Sequence, residues 1–113
     1  MPPRRICEVL GSVGLYLSTT EPDPQVAVEV KRIIDDHLSI MAEAEHEGWI
    51  DARTRHGWRP IEGPTSFRDR LHKSIRPYSD LVAAEQEKDE NVREYGSIVG
   101  QNNYFIVPDP PAD

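Results

Sequence analysis

Apolar residues recur at steps of three and four through the middle of the chain: Val26, Val30, Ile34, Leu38, Met41, Trp49 and Ala52, with Glu45 in the same register. That spacing gathers them into one stripe of an α-helix. Asp35, Asp36, Glu43, Glu47 and Asp51 fall mostly on other faces. Asp23 followed by Pro24 predicts the start, an N-cap with proline at the first helical position. The pattern runs to about His56, and Gly57 is placed to close the helix in the left-handed conformation. Gly48 and the stretch Asp36–Leu38 are weak points, so the pattern reads as one long helix or two consecutive ones.

The flanks are less regular. Residues 5–20 mix Ile6, Val9, Leu10, Leu15 and Leu17 with Gly11 and Gly14, and read as a strand or a short helix. Thr19-Thr20-Glu21-Pro22-Asp23-Pro24 breaks the chain before the long pattern. Trp58–Tyr78 is expected to be irregular, with a short helical turn around Ser66–Lys73 capped by Ser66. A loop of that length inside a compact domain is usually functional. Ser79 or Asp80 can cap a helix over Val82–Val99, whose apolar side is Leu81, Val92, Tyr95, Ile98 and Val99 and which Gly100 ends. Asn103–Val107 has the β-branched and aromatic content of a short strand. The Pro-rich stretch Pro108–Asp113 is expected to be disordered.

The chain has 113 residues, enough for one modest core. Its net charge of −7 argues against a general binder of nucleic-acid polymers. No apolar run approaches the roughly 20 residues of a membrane span. The basic start Met1–Arg5 leads into a segment with Glu8 and two glycines, which makes a poor secretory signal. Cys7 is the only cysteine, so an internal disulfide and a cysteine-built metal site are excluded, and a reducing cytoplasm is the expected location. The charge is uneven. Arg53, Arg55, Arg59, Arg68, Arg70, Lys73 and Arg76 face only Glu62 and Asp69 in the same window, a local net of +5 that leaves −12 for the rest. A basic centre in an acidic molecule can hold an anionic ligand, and it can equally be a solvated loop.

Candidate chemistry is sparse. No two of His37, His46, His56 and His72 have the i, i+4 spacing of a helical zinc pair. The chain has no phosphate-binding P-loop, nucleophile elbow or dinucleotide glycine motif, and neither a cofactor nor a metal is expected. The informative run is His46 to Trp58. His46, Trp49 and Arg53 occupy i, i+3 and i+7, one helical face over two turns. An indole and a guanidinium one turn apart suit a ligand with an aromatic plane and an anion, the one stacking and the other forking onto the charge. A core tryptophan with an arginine lying along it has the same spacing.

The pattern His46-x-x-Trp49-x-x-x-Arg53-x-x-x-Gly57-Trp58 resembles the opening helix of the ryanodine-receptor repeat domain, the RyR domain. His72-Lys73-Ser74-Ile75-Arg76-Pro77-Tyr78, followed by Leu81, is similar to that family's second block. The acidic stretch Glu85–Asp89 and the ending Tyr104–Val107 are similar to its later parts. Two departures fall in the loop. The family's His-Pro is His72-Lys73 here, and its Gly-Trp-x-Tyr-Gly is Gly57-Trp58-Arg59-Pro60-Ile61.

The resemblance implies a mainly α fold, a small RyR-type helical domain with short peripheral strands over residues 26–107. Residues 1–25 then form an N-terminal extension, possible as a strand, and 108–113 the tail. It implies a non-enzymatic, cytoplasmic domain that binds a phosphorylated nucleotide-derived small molecule of the ADP-ribose or cyclic-nucleotide type. Such a domain would act as a sensor or as a phage sponge in anti-phage defence. By position it points to His46, Trp49 and Arg53 as ligand contacts, with Trp58, Arg59, His72, Arg76 and Tyr78 from the adjoining motifs and basic cluster. Trp58 and Tyr78 also read as packing residues. The channel repeats come in pairs, so a homodimer is an expectation for this single copy, with no nucleic-acid or membrane partner. The competing reading is a protein-interaction module whose basic loop docks an acidic partner. An enzyme acting on a nucleotide comes third.

Overall fold

A computed structural model describes residues 4–108. The fold is mainly helical with two small two-stranded sheets. In chain order the elements are α1 (Arg4–Gly11), β1 (Tyr16–Ser18), α2 (Pro24–Asp36), α3 (Leu38–Arg55), β2 (Arg59–Pro60), β3 (Leu71–His72), α4 (Ala83–Asp89), α5 (Tyr95–Gly100) and β4 (Phe105–Val107). Short 3-10 segments lie at Tyr78–Asp80 and Glu90–Glu94. No helix among the described residues is long and apolar enough to cross a membrane. The tail expected over 108–113 lies, apart from Pro108, outside the described residues.

The long apolar stripe is two consecutive helices. They meet at His37, which leaves helical geometry at φ −121°, ψ 24°. Its ring Nδ1–H donates to the Ile33 carbonyl at 2.7 Å, a second bond to an oxygen that already accepts the His37 backbone N–H at 3.1 Å. The break turns α3 inward, where it packs against α1 and against the Glu90–Glu94 segment. The core joins Val30 and Ile34 of α2, Met41 of α3, and Val92, Tyr95 and Val99 of the later segments.

Within the stretch expected as an N-terminal extension, the described residues from Arg4 onward pack into the core. α1 buries Val9 and Leu10, and Leu15 follows them into the same core. Gly14, at φ 75°, makes the reversal that lets the Leu15 N–H reach the Leu10 carbonyl at 2.9 Å. β1 then pairs antiparallel with β4, Tyr16 opposite Val107 and Ser18 opposite Phe105. The helix and the strand expected as alternatives occur in succession.

Two other expectations change. Ser66–Lys73 is not a helical turn. Ser66 and Leu71 exchange both backbone hydrogen bonds, at 2.8 and 2.9 Å, around a four-residue turn closed by Arg70 at φ 55°. Ser66 still caps locally, its Oγ accepting the Asp69 N–H at 3.3 Å. The helix expected over Val82–Val99 is split into α4, a 3-10 segment and α5. Ser79 and Asp80 are spent in a 3-10 turn, after which Leu81 and Val82 run extended and delay the helix to Ala83. The second break coincides with Asp89, whose carboxyl group is tied to α3.

Leu10→Ala is expected to lower the unfolding free energy by about 2–5 kcal/mol, as for other buried leucines. Urea unfolding followed by circular dichroism would measure it. A loss near zero would show that α1 is not part of the cooperative unit.

Candidate functional site

Two polar side chains, Glu45 and His46, are buried in the middle of α3. Glu45 accepts Nη2–H of Arg5 from α1 at 2.5 Å through one oxygen and the Tyr95 hydroxyl of α5 through the other. Arg5 reaches it by crossing Gly48, where a Cβ would lie 2.8 Å from Arg5 Cδ. The glycine that weakens the helical pattern therefore opens the passage for this ion pair. Burial, with the Glu45 carboxylate beside it, pushes the Tyr95 phenol far above its ordinary range.

His46 is 2% exposed. Its Nε2–H donates to the Arg76 carbonyl at 2.8 Å, and its Nδ1 lies 3.1 Å from Oδ2 of Asp89. Burial pushes the Asp89 carboxyl above its usual range, while His46 opposes that shift. With both ring nitrogens engaged, His46 pins α4 and the Pro77 loop to α3. Tyr78 leans on it at 6.2 Å between ring centroids, and the Tyr78 carbonyl accepts from Gln86 at 3.0 Å.

One turn further on, Trp49 is half-buried among polar rings. His46 stacks on it at 5.6 Å with a 21° tilt, and His72 meets it edge-on at 4.9 Å. Arg53, one more turn along, brings its guanidinium carbon to 5.7 Å from the Trp49 ring and 5.6 Å from the Trp58 ring. The end of α3 explains the second contact. Gly57 at φ 87° donates to the Thr54 carbonyl and Trp58 to the Arg53 carbonyl, both at 3.0 Å, which is a Schellman closure. That closure brings the side chains of its third-last helical residue and its exit residue together. Here they are a guanidinium and an indole.

His72 enters from β3, which pairs with β2. Its Nδ1 accepts the Ser74 N–H at 3.0 Å, so its neutral form carries the proton on Nε2. Burial, then the Arg53 charge, lowers its pKa below 6.5. Beyond it, Trp58 carries Phe67 at 5.7 Å edge-to-face. The basic loop folds back on the carbonyl end of α3: Arg70 donates to the His56 carbonyl at 2.7 Å and Arg59 to the Trp58 carbonyl at 2.9 Å. Cations are favoured there by the helix dipole. Among the described residues, Arg53, Arg55, Arg59, Arg68, Arg70 and Arg76 have no carboxylate within 4.0 Å, and only Lys73 of that window is paired, with Glu85 at 3.7 Å.

The expected site residues thus fall into two groups. Trp49, Arg53, Trp58 and His72 form one aromatic–cationic cluster with Arg59 at its edge. His46, Tyr78 and the backbone of Arg76 form the joint behind it. A cleft of about 300 Å³ opens beside Trp49 and His72, with Ser74, Glu85, Lys88 and Asn91 on its walls. A larger apolar groove lies elsewhere, between α2, α5 and β4. Sequence reasoning missed Glu45, Asp89 and Tyr95. The one signal for Glu45 was its place in the apolar stripe, which an unpaired carboxylate would not occupy. No group of three or more histidine, cysteine or acidic side chains among the described residues is arranged to hold a metal ion.

No family model, curated protein or solved structure matches this chain.

Acidification is expected to weaken the native state as pH falls below 6.5 toward the depressed pKa of His72. The unfolded chain binds that proton more readily, so the stability present above 6.5 is lost as the ring charges. His72→Asn, which keeps an acceptor for Ser74, should flatten the pH dependence of the urea midpoint. An unchanged slope would reject the assignment to His72.

Proposed function

We propose that this chain is a RyR-type domain that binds, without transforming it, a phosphorylated nucleotide-derived small molecule of the ADP-ribose or cyclic-nucleotide kind. It serves as a sensor subunit or as a sponge for such a signal. The observation that carries the reading is the Arg53 guanidinium: exposed, shared between two indoles and free of any carboxylate partner among the described residues. An arginine present only for stability would gain from a carboxylate, and this chain has a surplus of them.

The cluster also constrains how a ligand enters. His46 covers Trp49 one turn before it and Arg53 one turn after it. A base that stacks on the indole at that end takes the place of the guanidinium. An exposed cation–π contact is worth about 0.5–1 kcal/mol, whereas stacking a base on an aromatic side chain contributes about 1–3 kcal/mol. The exchange favours the base and releases Arg53 to fork onto a phosphate, with Arg59 and Arg70 nearby as further cations.

Titrating a nucleotide panel by calorimetry and thermal shift tests this. A ligand should raise the melting temperature with concentration. Arg53→Gln, at an exposed position, should abolish the shift and lower the unliganded melting temperature by about 4–8 °C, through the two lost cation–π contacts. Trp49→Ala should also abolish it, with a loss of native stability. Turnover of the nucleotide, or a shift that survives in Arg53→Gln, would overturn the proposal.

Binding should also take up protons. An anion that neutralises Arg53 removes the second-largest cause of the depressed His72 pKa, which then moves back toward 6.5. In mildly acidic solution the calorimetric enthalpy should therefore depend on the ionisation enthalpy of the buffer, and this dependence should vanish in His72→Asn.

A further inference from the structure

Two exposed apolar features of the chain, Phe67 and a groove, are unused by the site above. One is a projecting aromatic. Phe67 is 76% exposed at the head of the four-residue turn that Ser66 and Leu71 close, and Trp58 supports it from behind. Arg68 and Arg70 share the turn with it, and Asp69 between them accepts from Ser66 Oγ at 3.3 Å. Arg59 is tied alongside, its backbone N–H donating to the Arg70 carbonyl at 2.9 Å. The turn is pinned by backbone hydrogen bonds, so little conformational freedom is lost when it docks.

The other feature is a hollow. Ala27, Val30, Ile34, Gly96, Phe105 and Ile106 line a groove of about 660 Å³ between α2, α5 and β4. Its cations are already engaged, Lys31 with Asp35 at 2.9 Å and Arg93 with Glu90 at 3.9 Å. Three carboxylates next in sequence to its lining residues Pro22 and Arg93 are not. Glu21 and Asp23 on either side of Pro22, and Glu94 beside Arg93, are exposed and have no cation within 4.0 Å among the described residues. The chain thus carries an apolar knob ringed by unpaired arginines and an apolar hole flanked by unpaired carboxylates.

We propose that the Phe67 turn of one copy seats in the α2–α5–β4 groove of a second copy. Phe67 fills the apolar floor and Arg59, Arg68 and Arg70 meet the free carboxylates at the rim. Aromatic and arginine side chains around a buried centre are the composition of interface hot spots. The opposite local charges match the division of the sequence into a basic window of +5 and an acidic remainder of −12. The contact joins unlike surfaces, so a two-fold pair makes it twice and any other arrangement propagates it. It does not involve Trp49 or Arg53, and its test reads mass without nucleotide, although Arg59 and Arg70 would serve both contacts.

Sedimentation equilibrium of the full chain over a concentration series tests it. The apparent mass should rise above 12.9 kDa with concentration, and less so at high salt. Phe67→Ala removes the knob. Gly96→Leu fills the hole, since a Cβ at Gly96 meets no atom within 4 Å and the helix has room for it. Each variant alone should stay at monomer mass with an unchanged circular dichroism spectrum. Mixing the two should restore association, because the pair retains one intact knob and one intact hole. A wild-type chain that stays monomeric, variants that associate like wild type, or an inert mixture would each overturn the proposal. A groove that binds an apolar dye equally in wild type and Phe67→Ala, at constant monomer mass, would reassign it to a small molecule.

Discussion

The arrangement of this fold depends on one buried carboxylate. Glu45 sits in the middle of the central helix and satisfies both oxygens on elements from opposite ends of the chain, Arg5 from α1 and Tyr95 from α5. Removing any one of the three would leave a polar group stranded, which costs more than the hydrogen bond itself is worth. The trio therefore fixes which faces of α1 and α5 can approach α3. With Gly48 giving Arg5 its path, it also fixes the azimuth of the helix that presents Trp49 and Arg53 to the outside.

His46 does a related task one residue later. Its bonds to the Arg76 carbonyl and to Asp89 hold the loop and α4 against the same helix. The neighbouring rings then assemble without further charge pairing: His46 on Trp49, Trp49 on His72, and Trp58 on His72 and Phe67. The helix interior is thus built on polar anchors, and the exposed end of the helix on rings that meet edge-on with a guanidinium among them. This gradient from paired to unpaired charge along α3 separates the enclosed half of the motif from the exposed half.

Local periodicity made α2 and α3 legible, including the weak point that became the break at His37. The closure at Gly57 was equally readable, since a left-handed residue after a helix has few alternatives to glycine. β4 followed from its β-branched and aromatic run. What could not be read was non-local. The role of residues 5–18 depends on a partner strand some ninety residues away. The split after Asp89 depends on a histidine in another helix. The neighbourhood of His46, Trp49 and Arg53 was visible from their spacing, but their environments were not. His46 proves to be enclosed and doubly bonded while Arg53 is open and unpaired, a difference set by α4, β3 and the loop rather than by α3 itself.

The antiparallel β1–β4 ladder has a mechanical meaning. Tyr16, at the start of β1, lies opposite Val107, at the end of β4, so the outward-leading chain leaves both strands at the same end of the ladder. Tension applied between those two points loads the rungs one after another, as in opening a zip, and not all together in shear. Pulled between Tyr16 and Val107, the clasp therefore parts rung by rung before the helical packing behind it carries the load.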